Sequence, residues 1–208
     1  MNTIESLYPG EYFHIYNRGN NRENLFVEER NYRYFMNLCA HYIEPVAATY
    51  AYCLMRNHFH LLIRVKDVDD FPQDWQSSED CQSLTRYDPP RVFASRQFAD
   101  LFSTYTKAFN KSYQRTGSLF AKPFRRIRID NDGYFHALVV YIHQNPQRHG
   151  FVNDFRDWPY SSYAAIASGN RTRLQRAAVL SWFADRAGYL TAHQSSVDEL
   201  AIEPLLFD

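Results

Sequence analysis

The sequence has little cysteine and no long apolar run. Its three cysteines, Cys39, Cys53 and Cys81, are scattered without a C-x-x-C spacing, which argues against a disulfide framework and against a thiolate zinc site. No apolar stretch approaches the roughly 18 residues of a membrane helix, and the first residues lack the basic and apolar regions of a signal peptide. We therefore expect a protein of a reducing compartment, cytoplasmic and without a membrane segment.

Net charge is also absent, because 23 lysines and arginines balance 23 aspartates and glutamates. The total charge gives no general attraction to nucleic acid, so only the local distribution of charge is informative. Residues 67–80 carry only acidic charges, whereas residues 103–129 carry only basic ones. The basic run predicts a surface that binds phosphates.

Apolar periodicity predicts the order β-α-β-β-α-β-α, with strands over 11–18, 46–55, 58–65 and 120–129, and helices over 28–44, 98–116 and 134–145. Pro146 is expected to end the last of these helices. This order predicts an α+β domain over residues 1–165, with a four-stranded, mainly antiparallel sheet and packed helices. Residues 66–91 form a polar segment that we expect to be functional or mobile. Residues 166–208 are expected to form a C-terminal helical extension, to which we assign no function.

Two histidines share one face of the third predicted strand. Alternate side chains of a strand point the same way, so His58 and His60 lie on one side while Phe59 lies on the other. We expect the histidine face to be open and the phenylalanine face to be core. Two imidazoles at this spacing can hold one divalent metal ion if a third ligand reaches them from elsewhere.

The last predicted helix offers a third ligand and a nucleophile. Tyr141 and Asn145 are four residues apart and share one helical face, and Gln144 lies close to it. With the histidines, an amide oxygen completes a site for Mg²⁺ or Mn²⁺, and Tyr141 can attack a phosphate held there. Asn145 could instead serve only to end the helix before Pro146.

Two segments of the sequence resemble the single-tyrosine HUH transposases, in particular their REP-associated branch. The run AYCLMRNHFHLLI from Ala51 is similar to the His-hydrophobic-His strand of that family. The runs YIHQNP from Tyr141 and WPYSSY from Trp158 are similar to its Y-I-x-x-N-P and W-P-x-S-S motifs. The resemblance covers most of residues 11–163, and the two segments in this order are specific to the family.

The resemblance implies a ferredoxin-like HUH endonuclease fold that nicks and rejoins single-stranded DNA beside hairpins. It implies a divalent metal held by His58, His60 and Asn145, with Tyr141 as the nucleophile that keeps a 5′-phosphate and releases a 3′-OH. The simplest members of the wider family use a glutamine as the amide ligand, so Gln144 stays open, although the i+4 spacing favours Asn145. Members of the family act as monomers or homodimers, and the length of this chain favours a monomer.

Basic residues are the predicted contacts to DNA. Those on the long helix follow one face, and together with those of the last strand they could line one groove for phosphates. Tyr105, Tyr113 and Phe124 lie among them and could stack on unpaired bases. The predicted set is Arg18, Arg22, Lys107, Lys111, Arg115, Lys122, Arg125, Arg126 and Arg128.

Two other functions fit parts of the pattern. A hairpin-binding protein without cleavage activity would keep the basic residues, but the intact His58, His60 and Tyr141 argue against it. A metal-dependent phosphodiesterase that uses water would keep the histidines without needing the tyrosine. Tyr134 is a rival nucleophile on the same helix, although it lies farther from Asn145 than Tyr141 does.

Overall fold

The computed structural model describes residues 5–72 and 89–195, and an antiparallel sheet lies at its centre. Within these residues, four strands follow the order β2-β3-β1-β4, and every neighbouring pair is antiparallel. This confirms the predicted α+β class with a four-stranded sheet. The strands are β1 (Tyr12–Arg18), β2 (Ala47–Leu54), β3 (His58–Val65) and β4 (Arg125–Ile129).

Helices connect and cover the strands in the predicted order. A π-helical turn, Cys39–Ile43, continues the first helix, and the Asn131 side chain caps the third by accepting a hydrogen bond from the Gly133 N–H. None of the helices within the described residues is long and apolar enough to cross a membrane. The helices are α1 (Glu29–Leu38), α2 (Pro89–Ser112), α3 (Asp132–Arg148), α4 (Tyr163–Ala167), α5 (Arg176–Trp182) and α6 (Arg186–Ala192).

Both faces of the sheet are covered. On one face, the Phe59 ring packs against Phe35 of α1 at 5.2 Å and against Phe102 of α2 at 5.8 Å between ring centres. On the other face, α3 lies over the sheet, with Phe135 at 4.7 Å from Tyr12. The expectation of an open histidine face is therefore wrong: the α3 helix buries His60 to 3% exposure.

Several predicted boundaries differ from the structure, and a proline lies near three of them. Strand β4 begins at Arg125 rather than at 120, because Pro123 has no N–H to donate to a ladder. Helix α2 begins at Pro89, well before 98, since proline is tolerated in the first turn of a helix. Helix α3 passes through Pro146 to Arg148, and the Phe151 N–H donates to the Pro146 carbonyl beyond it.

The polar segment predicted over 66–91 lies mostly outside the described residues. Its described beginning includes a short 3-10 helix, Val68–Asp70, and its end overlaps the first turn of α2.

The C-terminal helices pack directly on the sheet and on α3. Trp182 of α5 stacks on Phe135 at 4.6 Å and on Tyr50 at 5.1 Å, with nearly parallel rings. The predicted domain boundary after residue 165 falls inside α4. Residues 196–208 of the predicted extension lie outside the described residues.

Candidate functional site

Strand β3 presents His58 and His60 side by side beneath helix α3. Pairing with β1 sets Arg18 opposite His58 and Tyr16 opposite His60, and the two imidazole centres lie 5.3 Å apart. In both rings the Nε2 atom is buried and has no hydrogen-bond partner among the described residues. These two nitrogens are the atoms that a metal ion would need.

The opposite nitrogen of each ring is held by a neighbour. His58 Nδ1 lies 2.7 Å from Asn57 Oδ1; a carboxamide oxygen only accepts, so Nδ1 carries the proton and Nε2 keeps its lone pair. His60 Nδ1 lies 2.9 Å from His14 Nε2. Such a partner on the far nitrogen orients an imidazole for metal binding.

Burial keeps both imidazoles neutral. Desolvation, with smaller contributions from the nearby His149 and Arg18, lowers the pKa of His58 to about 3. Desolvation also holds the pKa of His60 well below its usual value, with smaller contributions from His14, His58 and His149. Since only the neutral ring has a lone pair to donate, both histidines are in the ligand form at neutral pH.

One face of α3 lies across these histidines. The Tyr141 ring packs edge-on against His60 at 5.6 Å, and the His149 ring packs against His58 at 4.7 Å. Asn145 is one turn from each of them on the same face. Asn145 therefore lies on the face of α3 that carries these two ring contacts, halfway between them along the helix.

Asn145 contributes a third buried atom without a partner. Its Nδ2 donates to the Tyr141 carbonyl at 2.8 Å, and because a carbonyl only accepts, this contact fixes Oδ1 as the remaining atom. Oδ1 is buried without a hydrogen-bond partner among the described residues. A lone buried polar atom of this kind costs roughly 1–3 kcal/mol, and one ligand shared by the three atoms would remove that cost. A divalent cation fits them.

Gln144 turns away from the histidines. Its Nε2 donates to the carbonyls of Ser195 at 2.8 Å and His193 at 3.2 Å, both near the C-terminal end of the described chain. Across residues 5–72 and 89–195, no group of three His, Cys, Asp or Glu side chains could hold a metal ion. A metal site here would therefore use the amide oxygen of Asn145 as its third protein ligand.

A cleft of about 550 Å³ opens beside the two histidines. It contains four of the predicted DNA contacts, which give it a basic wall: Arg18, Arg22, Lys122 and Arg125. Tyr141 is not among the lining residues and is only 3% exposed. The phenol is thus next to the histidines but covered, and a phosphate reaches it only if the covering groups move.

The other predicted DNA contacts do not line this cleft. Arg126 lies on the opposite face of β4, where it donates to Ser95 of α2 at 2.7 Å, and Arg128 pairs with Glu5 at 3.6 Å. Arg115 forms an ion pair with Glu23. Lys107 and Lys111 are exposed on α2. The expected single groove is divided because adjacent residues of a strand point to opposite faces.

Of the predicted base-stacking aromatics, Tyr105 belongs to the core, whereas Tyr113 and Phe124 are half-buried. Tyr105 is 1% exposed, and its hydroxyl donates to the Leu25 carbonyl at 2.6 Å. The Tyr113 hydroxyl donates to Glu28 at 2.6 Å, and Phe124 lies beneath the Arg126 guanidinium at 4.4 Å. Tyr105 in particular cannot stack on a base without unfolding its surroundings.

Comparison with known proteins points to one family. No family model matches the chain. A Haemophilus influenzae protein, named as a candidate REP-associated tyrosine transposase, is 29% identical over 131 residues, which are 62% of this chain and 64% of that relative. A solved structure of a REP-associated tyrosine transposase bound to a REP hairpin matches with a TM-score of 0.60 and 17% identity, over 83% of this chain and 89% of that one. The chain resembles the REP-associated tyrosine transposases in sequence and in fold.

These comparisons confirm the resemblance drawn from the two sequence segments. The match spans less than two thirds of the Haemophilus influenzae relative, and at 17% identity the structural likeness to the REP-associated tyrosine transposase concerns the fold alone.

Sequence reasoning offered no geometric reason to place His14 in the site, and it did not suggest His149. His14 holds His60 across two strands, a contact that depends on strand register. His149 packs on His58, and its spacing of eight from Tyr141 would have put it on the same helical face. The expectation that Pro146 ends the helix hid that signal.

A buried hydrogen-bond chain ties the site helix to the C-terminal helices. His193 Nδ1 lies 2.8 Å from the Tyr189 carbonyl and must donate to it. His193 Nε2 then accepts from His143 Nδ1 at 2.8 Å, and His143 Nε2 accepts from the Ser162 hydroxyl at 2.7 Å. With both imidazoles neutral, all four ring nitrogens of this chain are paired.

Acid should weaken this chain. Burial lowers the pKa of His193 to about 4, whereas the unfolded residue titrates near about 6.5. As pH falls below 6.5 the unfolded state binds the proton first, so the stability contribution is complete above 6.5 and is lost as pH falls toward 4. We predict that between pH 6 and 5 the wild-type unfolding free energy drops about 1 kcal/mol more than that of His193→Gln. Urea denaturation at each pH measures this, and parallel pH dependences would contradict it.

Proposed function

We propose that this chain is a metal-dependent DNA strand transferase that nicks and rejoins single-stranded DNA beside a hairpin. One observation carries the proposal: His58 Nε2, His60 Nε2 and Asn145 Oδ1 are buried without a hydrogen-bond partner among the described residues, and Tyr141, on the same helical face as Asn145, packs on His60. The hairpin substrate is suggested by the bound hairpin of the structural relative. We keep the sequence-based expectation of a monomer.

The three unpartnered atoms would hold Mg²⁺ or Mn²⁺. When bound, such an ion polarises a scissile phosphate and offsets the charge that develops on its oxygens. The chain supplies the rest of the site: His14 and Asn57 orient the two imidazoles. Helix α3 packs over them, with the Tyr141 ring against His60 and the His149 ring against His58.

Tyr141 would be the nucleophile. Its phenolic oxygen forms a bond to phosphorus, the phenolic proton is lost, and the bond to the 3′ oxygen breaks as that oxygen takes up a proton. The products are a 5′-phosphotyrosine and a DNA strand with a free 3′-OH. Because the aryl phosphodiester keeps the energy of the broken bond, the reverse attack by a 3′-OH rejoins the strands.

The basic cleft would guide the single strand to this site. Arg18, Arg22, Lys122 and Arg125 line it beside the histidines, and cations in this position bind phosphates without reading sequence. The cleft has a volume of about 550 Å³.

Tyr141→Phe should abolish covalent attachment to DNA. The variant and the wild type are incubated with Mn²⁺ and a hairpin oligonucleotide that carries a labelled single-stranded flank, and adducts are resolved in SDS gels. We expect an SDS-resistant adduct from the wild type and none from the variant, because phenylalanine has no oxygen to bond to phosphorus. Tyr134→Phe, on the same helix, is the matched control and should retain the adduct.

The outcomes separate the other functions. Tight hairpin binding without an adduct under any divalent metal would identify a binding protein without cleavage activity. Cleavage that survives Tyr141→Phe and leaves no adduct would identify a phosphodiesterase that uses water.

Asn145→Ala and Gln144→Ala should differ in metal affinity. The first variant removes the proposed amide ligand, so we expect at least ~10-fold weaker Mn²⁺ binding. The second removes hydrogen bonds to the C-terminal region and should leave binding unchanged. Mn²⁺ titration followed by electron paramagnetic resonance measures the Mn²⁺ affinity of both variants. Weaker binding by Gln144→Ala and unchanged binding by Asn145→Ala would identify Gln144 as the amide ligand instead.

Arg125→Ala should reduce the salt dependence of DNA binding, and Lys107→Ala should not. Arg125 lines the cleft, and removing one cation that neutralises a phosphate makes the slope of log K against log salt less steep by about 0.7 for a single strand. Lys107 lies on α2, outside the cleft lining. Fluorescence anisotropy across a range of salt concentrations gives the slopes. Equal slopes for the wild type and Arg125→Ala would mean that DNA does not bind in the cleft.

A further inference from the structure

The last turn of α3 continues past a proline that would ordinarily end a helix. The His149 N–H donates to the Asn145 carbonyl at 2.9 Å and the Phe151 N–H to the Pro146 carbonyl at 2.8 Å. The Gln147 side chain accepts from the Phe155 N–H at 3.1 Å. These bonds hold one more turn in helical form beyond Asn145, and Arg148 lies on that turn.

The helical repeat of α3 places Arg148 next to Tyr141, the proposed nucleophile. It follows Tyr141 by seven residues, nearly two turns, and so returns to the same helical face. Its guanidinium carbon lies 5.5 Å from the centre of the Tyr141 ring. The phenol is thus bracketed by the guanidinium of Arg148 and by the imidazole of His60, which is 5.6 Å away.

The chemistry of a guanidinium suits this position. Arginine stays charged at every working pH, packs well on aromatic faces and matches phosphate oxygens with its planar fork. An attack by the phenol on a phosphodiester concentrates negative charge at the phenolic oxygen and the phosphate together. A fixed positive charge beside the ring favours that charge distribution over the uncharged phenol.

We propose that Arg148 is a positioning residue for the nucleophile: it holds the Tyr141 ring against His60 and keeps a positive charge beside the phosphate that Tyr141 attacks. This inference rests on the proposed function and deepens it. Arg148 belongs to neither the metal ligands nor the DNA contacts predicted from the sequence. Its role is distinct from that of the cleft arginines, since Arg148 does not line the cleft.

The structure offers a matched control. Arg156 lines the same second cavity as Arg148, of about 780 Å³, and its guanidinium also lies over an aromatic ring, that of Phe155 at 6.0 Å. Arg156 is paired with Asp154, and the ring that it covers is not that of the nucleophile. Arg156→Ala therefore removes a comparable arginine–aromatic pair away from Tyr141.

The test compares the rate of adduct formation at saturating hairpin DNA with the DNA concentration that gives half that rate. For Arg148→Ala we expect the rate to fall at least ~10-fold, with the half-saturating concentration changed less than ~3-fold. Arg148→Lys should recover part of the loss, Arg148→Met should not, and added guanidinium should partly rescue Arg148→Ala. Arg156→Ala should react like the wild type.

Several results would overturn the proposal. An unchanged or faster rate in Arg148→Ala would mean that the arginine is inert or only covers Tyr141. Equal recovery by lysine and methionine would assign it to packing alone. Mn²⁺ binding and urea denaturation confirm that each variant is folded. If Arg148→Ala is not folded, the rate of adduct formation by Arg148→Lys is compared with that of Arg148→Met instead. If the wild type forms no adduct, the proposed strand-transferase function is wrong. That result differs from every result that contradicts only the role of Arg148.

Discussion

The packing of helix α3 across the sheet is the contact on which the candidate site depends. Tyr141 touches His60 and His149 touches His58, and these two contacts are eight residues, or about 12 Å, apart along the helix axis. A helix held at two such points has little freedom to rotate or slide. Asn145 lies halfway between them on the same helical face, and its Oδ1, like the Nε2 atoms of His58 and His60, is buried without a hydrogen-bond partner among the described residues.

The C-terminal helices stabilise that arrangement through contacts with α3. His193 and Ser162 hold His143 from both of its nitrogens, and His143 lies between Tyr141 and Asn145 in the sequence. Trp182 stacks on Phe135 near the start of α3. Helices α4 to α6 therefore brace the site helix, a role that composition did not suggest. Burial holds the pKa of His143 well below its usual value, so its ring is neutral in this chain.

The basic residues form two sets with different surroundings. Those beside the histidines line the cleft, while Arg115 and Arg128 form ion pairs with Glu23 and Glu5. The run of positive charge between 103 and 129 is continuous in sequence only. Folding sends alternate residues of β4 to opposite faces, and just one of the two faces meets the proposed site.

Local patterns in the sequence alone determined the order of the secondary-structure elements and the faces that the candidate residues share. Alternation and helical spacing predicted the order of strands and helices, the shared face of His58 and His60, and the shared face of Tyr141 and Asn145, because these depend only on the repeat of each element. Tertiary structure alone decided that the histidine face is buried, that Gln144 turns away, that His14 and His149 join the site, and that Tyr105 belongs to the core. Those outcomes depend on which distant elements pack together and in what register, and no local repeat carries that information.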